Sequence, residues 1–376
     1  MFEGGLGGSP TKIRPIRTIS VLGGIASVLL SAIAPTSYAR DQIIDIRNGS
    51  ASIQRQGESR RRSAPVGTMI RTGDLVYPVR GTMVTVLCQN GVSGTRTRLF
   101  GLADVCPDSV SPRYSQAGRG EDDFQAFLEG EFVYASQVFE GNPRLRWNPM
   151  AGATTYHVQM WDCGRAVFNC TAVIWEATVE GTEVRYGGEA LELDRNYQLE
   201  VRAEDGPGQA PAYLTMRRLG EAQMAAVQAA VAQLDEADLS AEGKALALAW
   251  IYLHAAEPNT SPPDGAGLVL AAIPALEAVA SQSATPYVHR LLGDLYLQGG
   301  LLAAARQAYQ ATLDLTEGSA DLASRAAARV GLANIAATEG DRLTAELQLR
   351  QARLSYAWLA DGDRLAQVEE WLAVLD

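Results

Sequence analysis

Three histidines, four cysteines and scattered carboxylates are the side chains of this 376-residue chain that could carry chemistry, and their spacing argues against it. His157 stands between Tyr156 and Val158 in an alternating run, on the strand face opposite both. His254 and His289 fall in Ala- and Leu-rich stretches of helical period. H-E-x-x-H, G-x-S-x-G and P-loop patterns are all absent. Gly91-Val92-Ser93-Gly94 reads as a turn, and Glu121, Asp122 and Asp123 as a chance cluster of acids in a polar linker. The Asn-x-Ser/Thr matches at Asn48, Asn169 and Asn259 are short enough to arise by chance. The expectation is a protein with no catalytic site, no cofactor and no metal.

Cys88, Cys106, Cys163 and Cys170 fall as two local pairs and lack the C-x-x-C knuckles of zinc sites. Four cysteines allow three connectivities. Cys88 with Cys106 and Cys163 with Cys170 is expected, because the other two would staple regions of different character. Each bridge would contribute about 2 to 4 kcal/mol; the alternative is four buried thiols. Oxidation requires export, and the N-terminus reads accordingly. Lys12, Arg14 and Arg17 precede an apolar run from Ile19 to Ile33, and Ser37-Tyr38-Ala39 offers small residues at the two positions that a signal peptidase reads. Residues 1–39 are therefore expected to be a signal peptide cleaved after Ala39, the alternative being a retained anchor helix. Arg40 and Asp41 leave no lipobox cysteine. The expected location is the periplasm or cell envelope, with no membrane span once the signal is removed.

The net charge of −11 argues against a nucleic-acid partner. Arg60, Arg61 and Arg62, beside Gly57 and Pro65, read as a solvated loop.

The elements that would position any site change character near residue 215. Before it, short apolar runs are broken by Gly, Pro and charge; after it comes a long Ala-rich stretch of helical period. The fold class expected is multidomain α and β: two β-rich units, at 40–119 and 142–217, joined by a linker at 120–141, then a helical region at 218–376. In the first unit Ile43–Ile46, Ala51–Gln54, Thr68–Arg71, Leu75–Val79 and Met83–Cys88 read as strands, with Asn90-Gly91 as a hairpin turn. The pattern Val66-Gly67-Thr68-x-x-x-x-Gly73-Asp74-x-Val76, followed by Gly81 to Cys88 and Asn90-Gly91, resembles the FecR-like domain. That resemblance implies an exported, β-rich interaction domain.

In the second unit, Pro143-x-Leu145-x-Trp147-x-Pro149 and Tyr156-x-Val158-x-Met160 alternate with period two. They are similar to the opening strands of a fibronectin type III β-sandwich, and Leu193-x-x-x-Tyr197-x-Leu199-x-Val201 resembles that fold's tyrosine corner and following strand. Trp147, Tyr156, Trp161 and Tyr197 are expected in the core, the alternative being a sugar-stacking platform.

In the helical region Leu292-Gly293-x-x-Tyr296, Gly300 and Ala305-x-x-x-Tyr309 resemble the tetratricopeptide repeat (TPR). A second unit reads at Leu332-Ala333-x-x-Ala336, Gly340 and Ala345-x-x-x-Leu349, and a stretched earlier one at Leu248-Ala249-x-x-Tyr252 and Ala272-x-x-x-Leu276, interrupted by a loop from Glu257 to Gly267. Glu221–Asp235 and Arg364–Leu375 would cap the solenoid. The resemblance implies a groove lined by the first helix of each pair, with Tyr287, Arg290, Asp294 and Asn334 facing a protein partner. The function expected is a non-catalytic adaptor that holds protein partners in the cell envelope. The alternatives are an envelope sensor that uses the first unit, and a carbohydrate-binding accessory module.

Overall fold

The computed structural model describes residues 41–88, 93–106, 135–165, 170–205, 211–253 and 267–375. The expected signal sequence, the Asn90-Gly91 turn, Glu121 to Asp123, His254 and most of the 257–267 loop lie outside the described residues. A β-rich N-terminal part precedes eight helices, and among the described residues no helix is long and apolar enough to cross a membrane.

The first β unit holds two sheets. One orders β1 (Gln42–Arg47), β5 (Met83–Leu87) and β6 (Ser93–Arg96); the other orders β3 (Arg61–Ser63), β2 (Ala51–Gln54), β4 (Leu75–Pro78) and β7 (Phe100–Gly101). Strand alternation decides the packing. Ile43 points into a core with Ile53, Val76, Val84 and Phe100, whereas Ile44 points out into a second cluster with Leu219, Val227, Trp250 and Leu268 of the helical part. A disulfide between Cys88 and Cys106 closes the first core.

Two expectations for this unit are corrected. Thr68–Arg71 forms no strand; it meets β1 through the isolated bridge of Gln42 with Met69, because the turns at Gly67 and Gly73 leave it too short. Arg61 and Arg62 are not loop residues but part of edge strand β3, paired with β2. All three arginines of the run have partners. Arg61 lies 3.6 Å over the Tyr77 ring, Arg60 faces Trp358 at 5.8 Å, and Arg62 donates to the Leu359 carbonyl at 2.8 Å.

The second β unit has a five-stranded sheet in the order β11 (Ala172–Glu180), β10 (Thr155–Gly164), β13 (Asn196–Ala203), β14 (Ala212–Arg218) and β8 (Ala135–Val138). A two-stranded sheet pairs β12 (Glu183–Arg185) with β9 (Arg144–Arg146). One core, including Leu145, Trp147, Tyr156, Met160, Tyr186 and Tyr197, draws on strands of both sheets. The end of the expected linker is thus strand β8, parallel to β14, a pairing with a segment far along the chain that no local pattern announces. The Tyr197 hydroxyl accepts from the Glu192 amide at 2.8 Å, and Leu191, not Leu193, is the buried residue of that corner. A second disulfide joins Cys163 of β10 to Cys170 just before β11.

The helices are α1 (Glu221–Glu236), α2 (Ala241–Leu253), α3 (Val269–Ala280), α4 (Pro286–Gln298), α5 (Leu302–Thr316), α6 (Leu322–Thr338), α7 (Arg342–Leu359) and α8 (Gly362–Leu375). Successive helices pack on one another, and α4 also packs on α6. The close approach has a visible cause. Tyr309 of α5 is 1% exposed and lies where a Cβ at Gly293 would sit 2.6 Å from its ring and one at Gly331 would sit 2.1 Å away. Pro286 starts α4 at a position where its missing N–H costs nothing. Asp321 and Asp341 cap α6 and α7 by accepting from the Ser324 and Thr344 amides.

Candidate functional site

Helix α4 carries Tyr287, Arg290 and Asp294 three and four residues apart, so all three share a face. The Arg290 guanidinium lies 4.6 Å over the Tyr287 ring and pairs with the Asp294 carboxylate. The other oxygen of Asp294 accepts from the Tyr309 hydroxyl at 2.8 Å. Burial works against the charge on Arg290, but Asp294 and the surrounding tyrosines outweigh it and raise its pKa. Burial and Asp294 push the Tyr309 hydroxyl well above its ordinary value. This arrangement fixes the side chains against one another.

The chain itself occupies part of this face. The Tyr287 hydroxyl donates to Gln42 Oε1 at 2.7 Å, and the turn at Gly67 lies so close that a Cβ there would sit 2.1 Å from the ring. With φ of +89° that turn also favours glycine. Asn334, on α6, is not joined to the other three by a hydrogen bond; its Oδ1 is buried and has no hydrogen-bond partner among the described residues.

Two polar junctions fasten the β units to the helices, and sequence reasoning missed both. In the first, buried Asp45 of β1 accepts from the Ser240 hydroxyl at 2.7 Å, and that hydroxyl accepts from the Gly243 amide at the start of α2. Arg47 continues it, with an ion pair to Asp238 at 3.1 Å. In the second, Arg146 of β9 grips Glu277 of α3 with Nη1 at 2.5 Å and Nη2 at 3.2 Å. The Tyr296 hydroxyl donates to the same carboxylate at 2.6 Å. Burial disfavours the Glu277 charge, yet these bonds prevail and lower its pKa, while burial and Glu277 raise that of Tyr296. Asn148 accepts from the Ala303 amide at 3.2 Å and also donates to the Gly300 carbonyl. A pocket of about 280 Å³ lies between Trp147, Thr182, Glu183 and Gln307 at this junction. The signal available in the sequence was Glu277, the only charge in the apolar helix Val269–Ala280.

The histidines among the described residues contact acids and a backbone carbonyl. His157 faces Glu176 and Glu204 at 3.8 Å each on one side of the five-stranded sheet, and His289 is 3.0 Å from the Ser283 carbonyl. Asp41 comes within 4.8 Å of Cys88 and Cys106, but those sulfurs form a disulfide and offer no thiolate. Of the four aromatics that could have made a sugar platform, Trp147, Tyr156 and Tyr197 are buried in the core of the second β unit.

No protein-family model matches the chain, and a search of curated proteins finds no match.

Proposed function

We propose that the chain is a non-catalytic, exported adaptor in which a FecR-like first unit and a fibronectin III-like second unit are fastened to a TPR-like helical array that binds a protein partner of the cell envelope. The observation that carries this reading is the pair of polar junctions, Asp45 with Ser240 and Arg146 with Glu277 and Tyr296, which make one body from three units. Such a body suits the presentation of surfaces. The first helices of the pairs, α4 and α6, supply the partner face, to which Asn334 belongs.

A specific contact favours a second reading, the envelope sensor. The segment around Gly67 covers Tyr287, so a ligand of the first unit that shifted this turn would change the helical face.

The test compares the full chain with an Asn334→Arg variant, each immobilised and exposed to envelope extract. A protein retained by the full chain and lost from the variant supports the adaptor and its face. Equal retention moves binding elsewhere on the chain, and no specific retention rejects the adaptor.

A further inference from the structure

Four of the large apolar side chains that the structure leaves in solvent lie on one helix. On α7, Leu343 is 81% exposed, Leu347 53%, Leu354 66% and Trp358 61%. At 3.6 residues per turn they fall within roughly 60° of one another and form a stripe along the outer face. The opposite face, Ala345, Leu349, Ala352 and Tyr356, is buried in the core with α6 and α8. Within one copy Trp358 is met by the Arg60 guanidinium at 5.8 Å, but the stripe stays largely in water, which is unfavourable.

We propose that this stripe is the contact by which two copies of the chain associate about a two-fold axis, α7 against α7 in antiparallel orientation. The spacing of the four residues is four, seven and four, a pattern that reads the same in both directions about a midpoint between Arg350 and Gln351. Rotation about that midpoint sets Leu343 against Trp358 of the second copy and Leu347 against Leu354, twice each, which is the self-complementarity that an isologous interface requires. Arg350, the charge within the seam, is neutralised by Glu346 of its own chain at 2.5 Å. A seam of one 18-residue helix buries less than the roughly 800 Å² per partner of a standard interface. Association is accordingly expected with a Kd of about tens of micromolar.

The test is sedimentation of the full chain from about 1 to about 200 µM, a range that brackets this Kd. The wild type should pass from monomer to dimer. Leu347→Glu with Leu354→Glu should stay monomeric at every concentration with an unchanged thermal midpoint, since both residues are exposed. Orientation is read from engineered cysteines: Gln351→Cys, beside the axis, should form a disulfide-linked dimer readily. Leu343→Cys, about 22 Å from its twin by helix rise, should not. A wild type that remains monomeric, a dimer indifferent to the Leu347 and Leu354 changes, or equal linking through position 343 would overturn the proposal. A monomer that instead floats with anionic vesicles would assign the stripe to a lipid surface.

Discussion

Replacing Gly331 with alanine sets two effects of known size against each other. In an exposed helix the change would be stabilising by about 1 kcal/mol, because alanine loses less backbone entropy than glycine. At this position the new methyl would arrive 2.1 Å from Cζ of Tyr309 and 2.3 Å from Cε2. The ring has little room to retreat: it is 1% exposed, its hydroxyl is tied to Asp294 at 2.8 Å, and Gly293 faces it from the preceding helix, α4. Overpacking of this severity costs about 3 kcal/mol. The net loss is about 2 kcal/mol, which corresponds to a fall in Tm of roughly 4 to 8 °C for a cooperative unit the size of the helical region. Differential scanning calorimetry with the disulfides intact is the assay. Gly362→Ala is the control, because nothing lies within 4 Å of its added methyl; it should leave the midpoint unchanged or raise it. Gly331→Ala combined with Tyr309→Leu should be less destabilised than the sum of the two single changes by at least about 1 kcal/mol, since the smaller side chain makes room. A Gly331→Ala midpoint at or above wild type, or strict additivity in the double variant, would falsify the close-packing argument.

Three further outcomes are expected. Tyr197→Phe leaves the Glu192 amide without its acceptor and should cost about 1 to 2 kcal/mol in urea unfolding. The pKa of Glu277 is lowered in the folded chain, so its contribution to stability is complete above the ordinary value of 4.5 and disappears as pH falls through the lowered one. Hydrogen exchange across Arg144–Arg146 and α3 should therefore rise selectively on acidification, and Glu277→Gln should remove most of that pH dependence. Gly67→Ala should loosen the contact with Tyr287 and increase exchange in the 65–71 segment while leaving the second β unit unchanged.

The sequence announced what depends on short-range periodicity. Alternation placed Tyr156, Val158 and Met160 on one buried face, and the Leu-Gly-x-x-Tyr and Ala-x-x-x-Tyr runs coincide with α4 and α5. Both local disulfides follow from cysteine spacing. What stayed hidden depends on partners far apart along the chain. Strand β8 exists because β14 offers it a parallel edge, β3 because β2 needs a neighbour, and Arg62 reaches Leu359 from 297 residues away. Among the four residues expected to face a partner, Tyr287, Arg290 and Asp294 do share one face, but the chain's own Gln42 and Gly67 meet Tyr287 first. Nothing in the local pattern of α4 could show that.

The junction of the first β unit with the helices also limits how a sensor could work. Ile44, Leu87, Leu219, Trp250 and Leu268 form a shared buried cluster, and undocking would return at least Ile44, Leu87 and Trp250 to water at a cost of about 5 kcal/mol or more. A ligand would then need about a 10⁴-fold preference for the undocked form to reverse the equilibrium. Removal of the helical region leaves the same cluster exposed on the β unit, so truncation is a poor way to separate the functions of the units. The turn around Gly67 stands apart from this cost. It meets Tyr287 at the edge of a different cluster, through partly buried Val66, and its movement need not disturb Ile44 or Trp250. A signal passing from the first unit to the helices would therefore travel by a local shift at Gly67 within a docked body, and Tyr287, with Arg290 stacked on its ring, is the side chain that would register it.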